Sequence, residues 1–339
     1  MQSLSVKYRP TTFNDVVGQD VTVKILKRQV ELNELQHSYL FCGPSGVGKT
    51  TLCRALATAI NKGLGSPIEI DAASNNGIDN IRDIIKISKE RALDCEYKIF
   101  IIDEVHALSN SAWQALLKLI EEPPAYTIFM MATTDSQKIP ATVINRCMRF
   151  NLTKISNEKI EDRLKYICRQ EGFINYEEAC SYISKISHNQ LRDAISNLEK
   201  CASYNQDLSM KNVLETLGDF SLDTFVDLID YILDGKINDI LTVLDECYNK
   251  GLDMKLFVDQ LLDFCIDLTK YCLSKDISFT KFPASFEDNI KKIVNFDNPE
   301  KYYTSMMDKL LELKNMLKTD VDPYSTIQVY LVSIGAGIR

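Results

Sequence analysis

Tyr39-Leu40-Phe41-Cys42-Gly43-Pro44-Ser45-Gly46-Val47-Gly48-Lys49-Thr50 is an apolar run of strand length followed by a glycine-bearing loop that closes on Lys-Thr. Residues from Lys49 onward read as a helix, so strand, loop and helix occur in the order a phosphate-binding loop requires. The glycines let the backbone bend tightly and aim several N–H groups at phosphate oxygens. The positive end of the following helix faces the same anion. Gly46, Val47, Gly48, Lys49, Thr50 and Thr51 are therefore the expected cradle. Lys49 would reach the β- and γ-phosphates, and the Thr50 hydroxyl is placed to ligate Mg2+. The expected ligand is a nucleoside triphosphate with magnesium.

A second apolar run, Lys98-Ile99-Phe100-Ile101-Ile102, ends in Asp103-Glu104. Its β-branched composition predicts a central buried strand. Side chains alternate along a strand, so the two carboxylates share one direction only if the chain turns there. A division of labour follows: Asp103 holds the metal, usually through water, and Glu104 polarises the attacking water. Asp103-Glu104-Val105-His106 also has the DExH pattern, which makes His106 a candidate switch. The next strand, Thr127–Thr133, leads into Thr134-Asp135, where Thr134 could sense the γ-phosphate or orient water. Arg146 precedes the last strand and Arg192 opens a later helix. Nucleotide-driven assemblies use one such arginine in their own site and another from a neighbour.

Strands are expected at Tyr39–Cys42, Ile68–Asp71, Lys98–Asp103, Thr127–Thr133 and Met148–Asn151, with helices near 22–33, 49–61, 79–93 and 111–121 between them. That alternation predicts an α/β domain with a parallel sheet. From Asn157, a candidate cap, the pattern becomes helical, near 157–172, 176–187 and 190–203. Beyond about 220, stripes such as Phe225, Leu228, Ile229 and Ile232, and Met306, Leu310, Leu313 and Leu317, continue it. Expected domains are 1–155, a small helical lid at 156–219, and a helical piece at 220–339.

The net charge of −8 disfavours a nonspecific polycation but allows a local basic surface. A helix near Asp79 carrying Arg82, Lys86 and Lys89 could meet a phosphate backbone without reading bases. Ten cysteines without a CxxC pair read as free thiols in a reducing cytosol, and three scattered histidines offer no metal site. The N-terminus lacks a signal-peptide pattern, and no run reaches ~18 apolar residues. A soluble, cytoplasmic protein without membrane partners is expected.

The order of motifs resembles the clamp-loader ATPases of the AAA+ class, most closely the bacterial gamma/tau subunits, with replication factor C small subunits more distant. Lys7-Tyr8-Arg9-Pro10 and Phe13-Asn14-Asp15-Val16-Val17-Gly18-Gln19 are similar to that family's N-terminal signature. Ile68-Glu69-Ile70-Asp71-Ala72-Ala73-Ser74, Ala115-Leu116-Leu117-Lys118, Glu121-Glu122-Pro123-Pro124, Gln137-Lys138-Ile139-Pro140, Arg146-Cys147 and Leu191-Arg192-Asp193-Ala194 continue the match. The resemblance is specific to about residue 200 and architectural beyond about 220.

The resemblance implies an AAA+ domain, a lid and an all-α C-terminal collar that closes a ring of about five subunits. Arg9 and Val16-Val17-Gly18 would border the adenine of ATP. Thr134 would be a first sensor, Arg192 a second, and Arg146 a finger reaching the next subunit's ATP. The partners implied are a sliding clamp, primer-template DNA and the other clamp-loader subunits, with Asn110–Glu122 facing the clamp. Such rings grip an open clamp when bound to ATP and release it on hydrolysis.

Three departures matter. Asn61-Lys62-Gly63-Leu64-Gly65-Ser66 stands where the bacterial subunit carries a four-cysteine zinc module, so zinc is not expected. Asn145 replaces the usual Ser before the finger, and Asn189-Gln190 replaces Gly-Ser before the second sensor. The chain also stops after the collar, as would suit a bacteriophage or a short cellular version. Two rival readings remain. One is a non-hydrolysing scaffold subunit, whose phosphate loop or carboxylate pair would be degraded. The other is a different AAA+ motor such as a branch-migration ATPase, whose DNA-binding domain would show hairpin signals.

Overall fold

The computed structural model describes residues 2–217, 222–249, 251–283 and 286–337. Five strands form one sheet: β1 (Ser38–Cys42), β2 (Ile68–Asp71), β3 (Lys98–Asp103), β4 (Thr127–Thr133) and β5 (Met148–Asn151). Their spatial order is β2-β3-β4-β1-β5, and every pairing is parallel. The first helices are α1 (Leu4–Lys7), α2 (Asp20–Leu32), α3 (Lys49–Ile60), α4 (Ile78–Ser88), α5 (Asn110–Glu121), α6 (Ala141–Ile144) and α7 (Asn157–Glu171). All five strands begin and end within a residue of where the sequence places them.

The period of two along the strands sorts the core into two layers. Tyr39, Phe41, Ile99, Ile101, Ile128 and Met130 point to the face covered by Leu26 of α2 and by Leu52 and Leu56 of α3. Leu40, Phe100, Ile102, Phe129 and Met131 point to the other face, against Ile81 and Ile84 of α4 and Trp113 and Leu116 of α5. A sheet buried on both faces needs near-continuous apolar strands, which is what β1, β3 and β4 supply. In register, Cys42 lies opposite Thr133 and Asp71 opposite Asp103, so the carboxyl ends of the strands form one edge.

Two helix ends differ from expectation for identifiable reasons. α4 stops at Ser88 rather than near 93, where side chains from β3, from β4 and from the residue before β4 capture the carbonyls at its end. Lys98 Nζ donates to Ile87 O (2.9 Å), Thr127 Oγ1 to Ser88 O (3.2 Å) and Tyr126 Oη to Lys89 O (2.7 Å). Asn157 is the first helical residue of α7 rather than its cap. The Ser156 hydroxyl takes the capping position, accepting from Lys159 N at 3.4 Å.

The remaining helices are α8 (Tyr176–Ile186), α9 (Leu191–Tyr204), α10 (Met210–Leu217), α11 (Leu222–Asp234), α12 (Ile237–Asn249), α13 (Met254–Ser274), α14 (Glu287–Ile293), α15 (Pro299–Met316) and α16 (Pro323–Gly337). The chain divides into two compact units. The first comprises residues up to Glu171 together with Ser187–Glu199, and the second Gly172–Ile186 with the residues from Lys200 onward. The first unit thus takes in α7 and the start of α9. The division into 1–155, 156–219 and 220–339 is a proposal about folding units, and its second boundary lies outside the described residues. In the second unit α13 packs along α15, and both apolar stripes read from the sequence are buried in one cluster.

The link between α3 and β2 is short and closed by a single side chain. Asn61 Nδ2 donates to Tyr97 O (2.8 Å), and Tyr97 N donates to Asn61 Oδ1 (3.0 Å), tying the end of α3 to the approach to β3. Asn61 is 9% exposed, so truncation strands two backbone groups with little access to water. Asn61→Ala is expected to lower unfolding stability by about 1–3 kcal/mol, read from urea denaturation.

Candidate nucleotide-binding and hydrolysis site

The loop after β1 and the tip of β3 open into one cavity at the carboxyl edge of the sheet, where ligands of open α/β folds gather. The loop after β1 supplies the cradle. Gly46 (φ 72°) and Gly48 (φ 95°) are in the left-handed region, which a side chain strains, and Gly48 caps α3. Lys49 is 6% exposed, with Nζ donating to Gly43 O (3.0 Å) and Pro44 O (2.8 Å). Burial pulls its pKa below the ordinary lysine value, while Glu104 and Asp103 oppose that shift. A buried ammonium hydrogen-bonded to loop carbonyls is well placed to exchange them for phosphate oxygens.

The tip of β3 divides the two carboxylates as their sequence positions require. Asp103 accepts from Thr50 Oγ1 at 2.6 Å. Glu104 takes a left-handed backbone (φ 48°), and this turn swings its side chain toward the tip of β4. There Glu104 Oε2 accepts from Thr134 Oγ1 (2.9 Å) and Thr134 N (3.3 Å), with His106 Nδ1 at 3.2 Å. His106 Nδ1 is also 3.2 Å from Thr133 Oγ1. The Thr133 hydroxyl already donates to Asp135 O (3.1 Å) and accepts from Asp135 N (3.0 Å), so it can only accept from the imidazole. Nδ1 therefore carries the proton and is shared between Thr133 and Glu104.

Arg9, Val17, Gly46, Val47, Gly48, Lys49, Thr50, Thr51, Asp103, Glu104 and Arg192 all line this cavity. Arg192 opens α9, and its charge and that of Arg54 both bear on Arg9. Burial first, then Arg54 and Arg192, pull the Arg9 pKa below its ordinary value. Four arginines lining one cavity, Arg9, Arg54, Arg163 and Arg192, describe a site for a polyanion. Arg54 was missed by sequence reading, although its place one turn after Thr50 puts it on the same helix face. Arg54 Nε donates to Glu69 Oε1 (2.6 Å) in a two-pronged pair. Arg163 of α7, which donates to Tyr8 O (2.8 Å), also lines the cavity and left no local signal.

Two expected residues lie apart from the cavity lining. Thr134 acts on Glu104 rather than on the cavity wall. Arg146 is exposed, donating to Thr142 O (2.8 Å) and pairing with Glu121 (2.8 Å). Arg82 and Lys86 stand on the exposed face of α4, Arg82 paired with Asp79 at 2.9 Å. Thr50 and Asp103 offer a hydroxyl and a carboxylate in contact, the hard oxygen donors Mg2+ takes alongside phosphate oxygens. The residues fit that ion.

Sheet order, phosphate loop and paired carboxylates define a P-loop nucleotide-binding domain of the AAA+ class. The fold agrees with solved structures of the Thermotoga maritima RuvB Holliday junction branch migration motor (TM-score 0.54, 17% identity, 73% of this chain and 86% of that one). Family profiles match in two places: "DNA polymerase III, delta subunit" over residues 66–156, and "DNA polymerase III subunits gamma and tau domain III" over residues 208–293. The DNA polymerase III subunit tau of Bacillus subtilis is 36% identical over 292 residues, covering 80% of this chain and 52% of the relative. The subunit gamma of Buchnera aphidicola (Schizaphis graminum) is 30% identical over 357 residues, covering 99% of this chain and 98% of the relative. This chain belongs to the DNA polymerase III gamma/tau family. It spans about half the length of the tau relatives it matches. No helix among the described residues is long and apolar enough to cross a membrane.

The geometry separates the two arginines. Arg192→Ala is expected to weaken Mg2+-ATP binding by the isolated chain about tenfold, the order of one charged hydrogen bond. Arg146→Ala should leave that affinity unchanged, and titration with a fluorescent ATP analogue checks both.

Proposed function

We propose that this chain is an ATP-hydrolysing subunit of a clamp loader, which opens a sliding clamp and places it on primer-template DNA. The observation that carries this reading is a complete set of hydrolytic groups in a gamma/tau-family chain. Lys49 is buried in the phosphate loop, Thr50 touches Asp103, and Glu104 is held at the tip of β4. A scaffold subunit that does not hydrolyse would have no use for all four.

In the proposed mechanism, the loop N–H groups and Lys49 bind the β- and γ-phosphates as Lys49 leaves the Gly43 and Pro44 carbonyls. Thr50 and Asp103 would hold Mg2+, which neutralises phosphate charge when bound. Glu104 orients a water by accepting its hydrogen bond, with Thr134 as the sensor beside it. The water oxygen bonds to the γ-phosphorus as the bond to the β,γ-bridging oxygen breaks, giving ADP and phosphate. The proton released passes by way of Glu104 to solvent. Arg192 neutralises charge within the same chain.

Arg146, exposed and outside its own cavity, is proposed to complete the site of a neighbouring subunit in a ring of about five. The helices after about 220 would form the collar of that ring. Arg82 and Lys86 on α4 would follow the DNA backbone, where local charge matters more than the net −8. The segment from Asn110 to Glu122 would face the clamp. A branch-migration motor is disfavoured because likeness to RuvB is 17% in identity and concerns the fold alone, against 30% across 98% of a gamma subunit.

ATP hydrolysis by the assembled complex is expected to rise when sliding clamp and primed DNA are both added. Lys49→Ala should lower that rate by roughly a hundredfold or more, since Lys49 is the buried cation of the phosphate loop itself. Phosphate release measured with each ligand alone and with both together checks this. Hydrolysis indifferent to clamp and DNA would favour a different motor.

A further inference from the structure

The segment that leaves β5 and enters α7, residues 152–157, is gripped at both ends by side-chain carboxamides. Gln19 Nε2 donates to Thr153 O (2.7 Å), and Thr153 N donates back to Gln19 Oε1 (3.2 Å), so one side chain takes the place of a strand partner. The same Nε2 lies 3.5 Å from Val47 O, inside the phosphate loop. At the other end Asn189 Nδ2 donates to Ile155 O (2.9 Å) and to Asn157 Oδ1 (3.0 Å). Between the two grips, Ile155 is 3% exposed and lines the apolar end of the nucleotide cavity with Val16, Val17 and Leu191.

Both gripping residues sit in an unusual backbone. Gln19 (φ 59°) and Asn189 (φ 65°) occupy the left-handed region, which glycine enters freely and other residues enter at a cost. A strained carboxamide residue at each of two positions, each bonded to the same six-residue connector, indicates that the side chain offsets the backbone strain. Gln190 follows directly and lies against the phosphate loop. A Cβ on Gly46 would stand 2.9 Å from Gln190 Cβ and 3.3 Å from its Cα. The connector, the loop and the start of α9 with Arg192 are thus fastened to one another through residues 19, 189 and 190.

We propose that Gln19 and Asn189 are positioning residues for nucleotide binding, holding the connector so that Ile155 and Arg192 face the bound nucleotide together. Neither touches the reacting atoms. Their effect is on affinity: without the grips the apolar end of the cavity loses its fixed wall while the phosphate cradle stays intact. This rests on the nucleotide-site reading of the cavity.

The test uses the full chain, Mg2+ and a fluorescent ATP analogue, with Lys49→Ala as a control. Asn189→Gly keeps the left-handed backbone and removes the grip; Asn189→Asp keeps the shape but cannot donate to either acceptor. Affinity is expected to fall about tenfold in Asn189→Gly, the scale of one to two net hydrogen bonds, and further in Asn189→Asp. Gln19→Glu, which loses the donor to Thr153 O, should follow Asn189→Asp. Turnover at saturating ATP should stay within about twofold in Asn189→Gly, giving a change in KM and not in kcat. A purely backbone role predicts the reverse order, with glycine binding as tightly as the native chain or better. That order, or native affinity in all three variants while Lys49→Ala fails to bind, overturns the inference. Absence of binding by the native chain overturns the nucleotide reading beneath it as well.

Discussion

The hydrogen bond from the Thr50 hydroxyl to Asp103, 2.6 Å long, joins two segments that are far apart in the chain, and the site depends on that junction. Thr50 belongs to the first turn of α3 and Asp103 to the last position of β3, with β4 lying between β3 and β1. They meet because parallel pairing brings all the carboxyl ends to one edge and because helices on both faces keep those strands apolar and fixed. Lys49 is buried beside them, short of water and facing acidic groups. The cavity therefore carries converging donors and cations prepared for a polyanion with its metal.

Much of this was legible in the sequence, for physical reasons that differ from place to place. The central strands β1, β3 and β4 were legible because each must be apolar along its length; Gly43-Pro44 after β1 and Asp103 at the tip of β3 mark where two of them end. The cradle was legible because its spacing is local. The turn at Glu104 was partly legible: alternation forbids two adjacent carboxylates from sharing a direction, and the left-handed backbone at Glu104 is how the chain resolves that conflict. The early end of α4 was not legible, because the groups that capture its carbonyls, Lys98, Tyr126 and Thr127, come from later in the chain. Arg163 and Gln19 were hidden for the same reason, since each acquires its role through partners more than a hundred residues away.

The departures from the family pattern also become intelligible in three dimensions. Asn189 keeps the left-handed backbone that glycine would allow while adding two hydrogen bonds. The short link at Asn61–Ser66 is tied by the Asn61 carboxamide to Tyr97, which joins the end of α3 to the approach to β3. Arg146, which follows Asn145, is exposed and paired with Glu121, a pairing at the surface that a competing anion could replace at little cost. Carboxamide side chains thus recur where the fold must fix a connector without a regular ladder.

The central claim is that each triphosphate pocket is finished by an arginine from the adjoining chain. The most direct measurement is ATP turnover per chain as protein concentration carries the purified protein, with its partner subunits, from dissociated to assembled. The account predicts slow turnover in the dissociated chain and a steep rise that tracks assembly and disappears in Arg146→Ala. Full-rate turnover by a dissociated monomer, insensitive to Arg146, would contradict it.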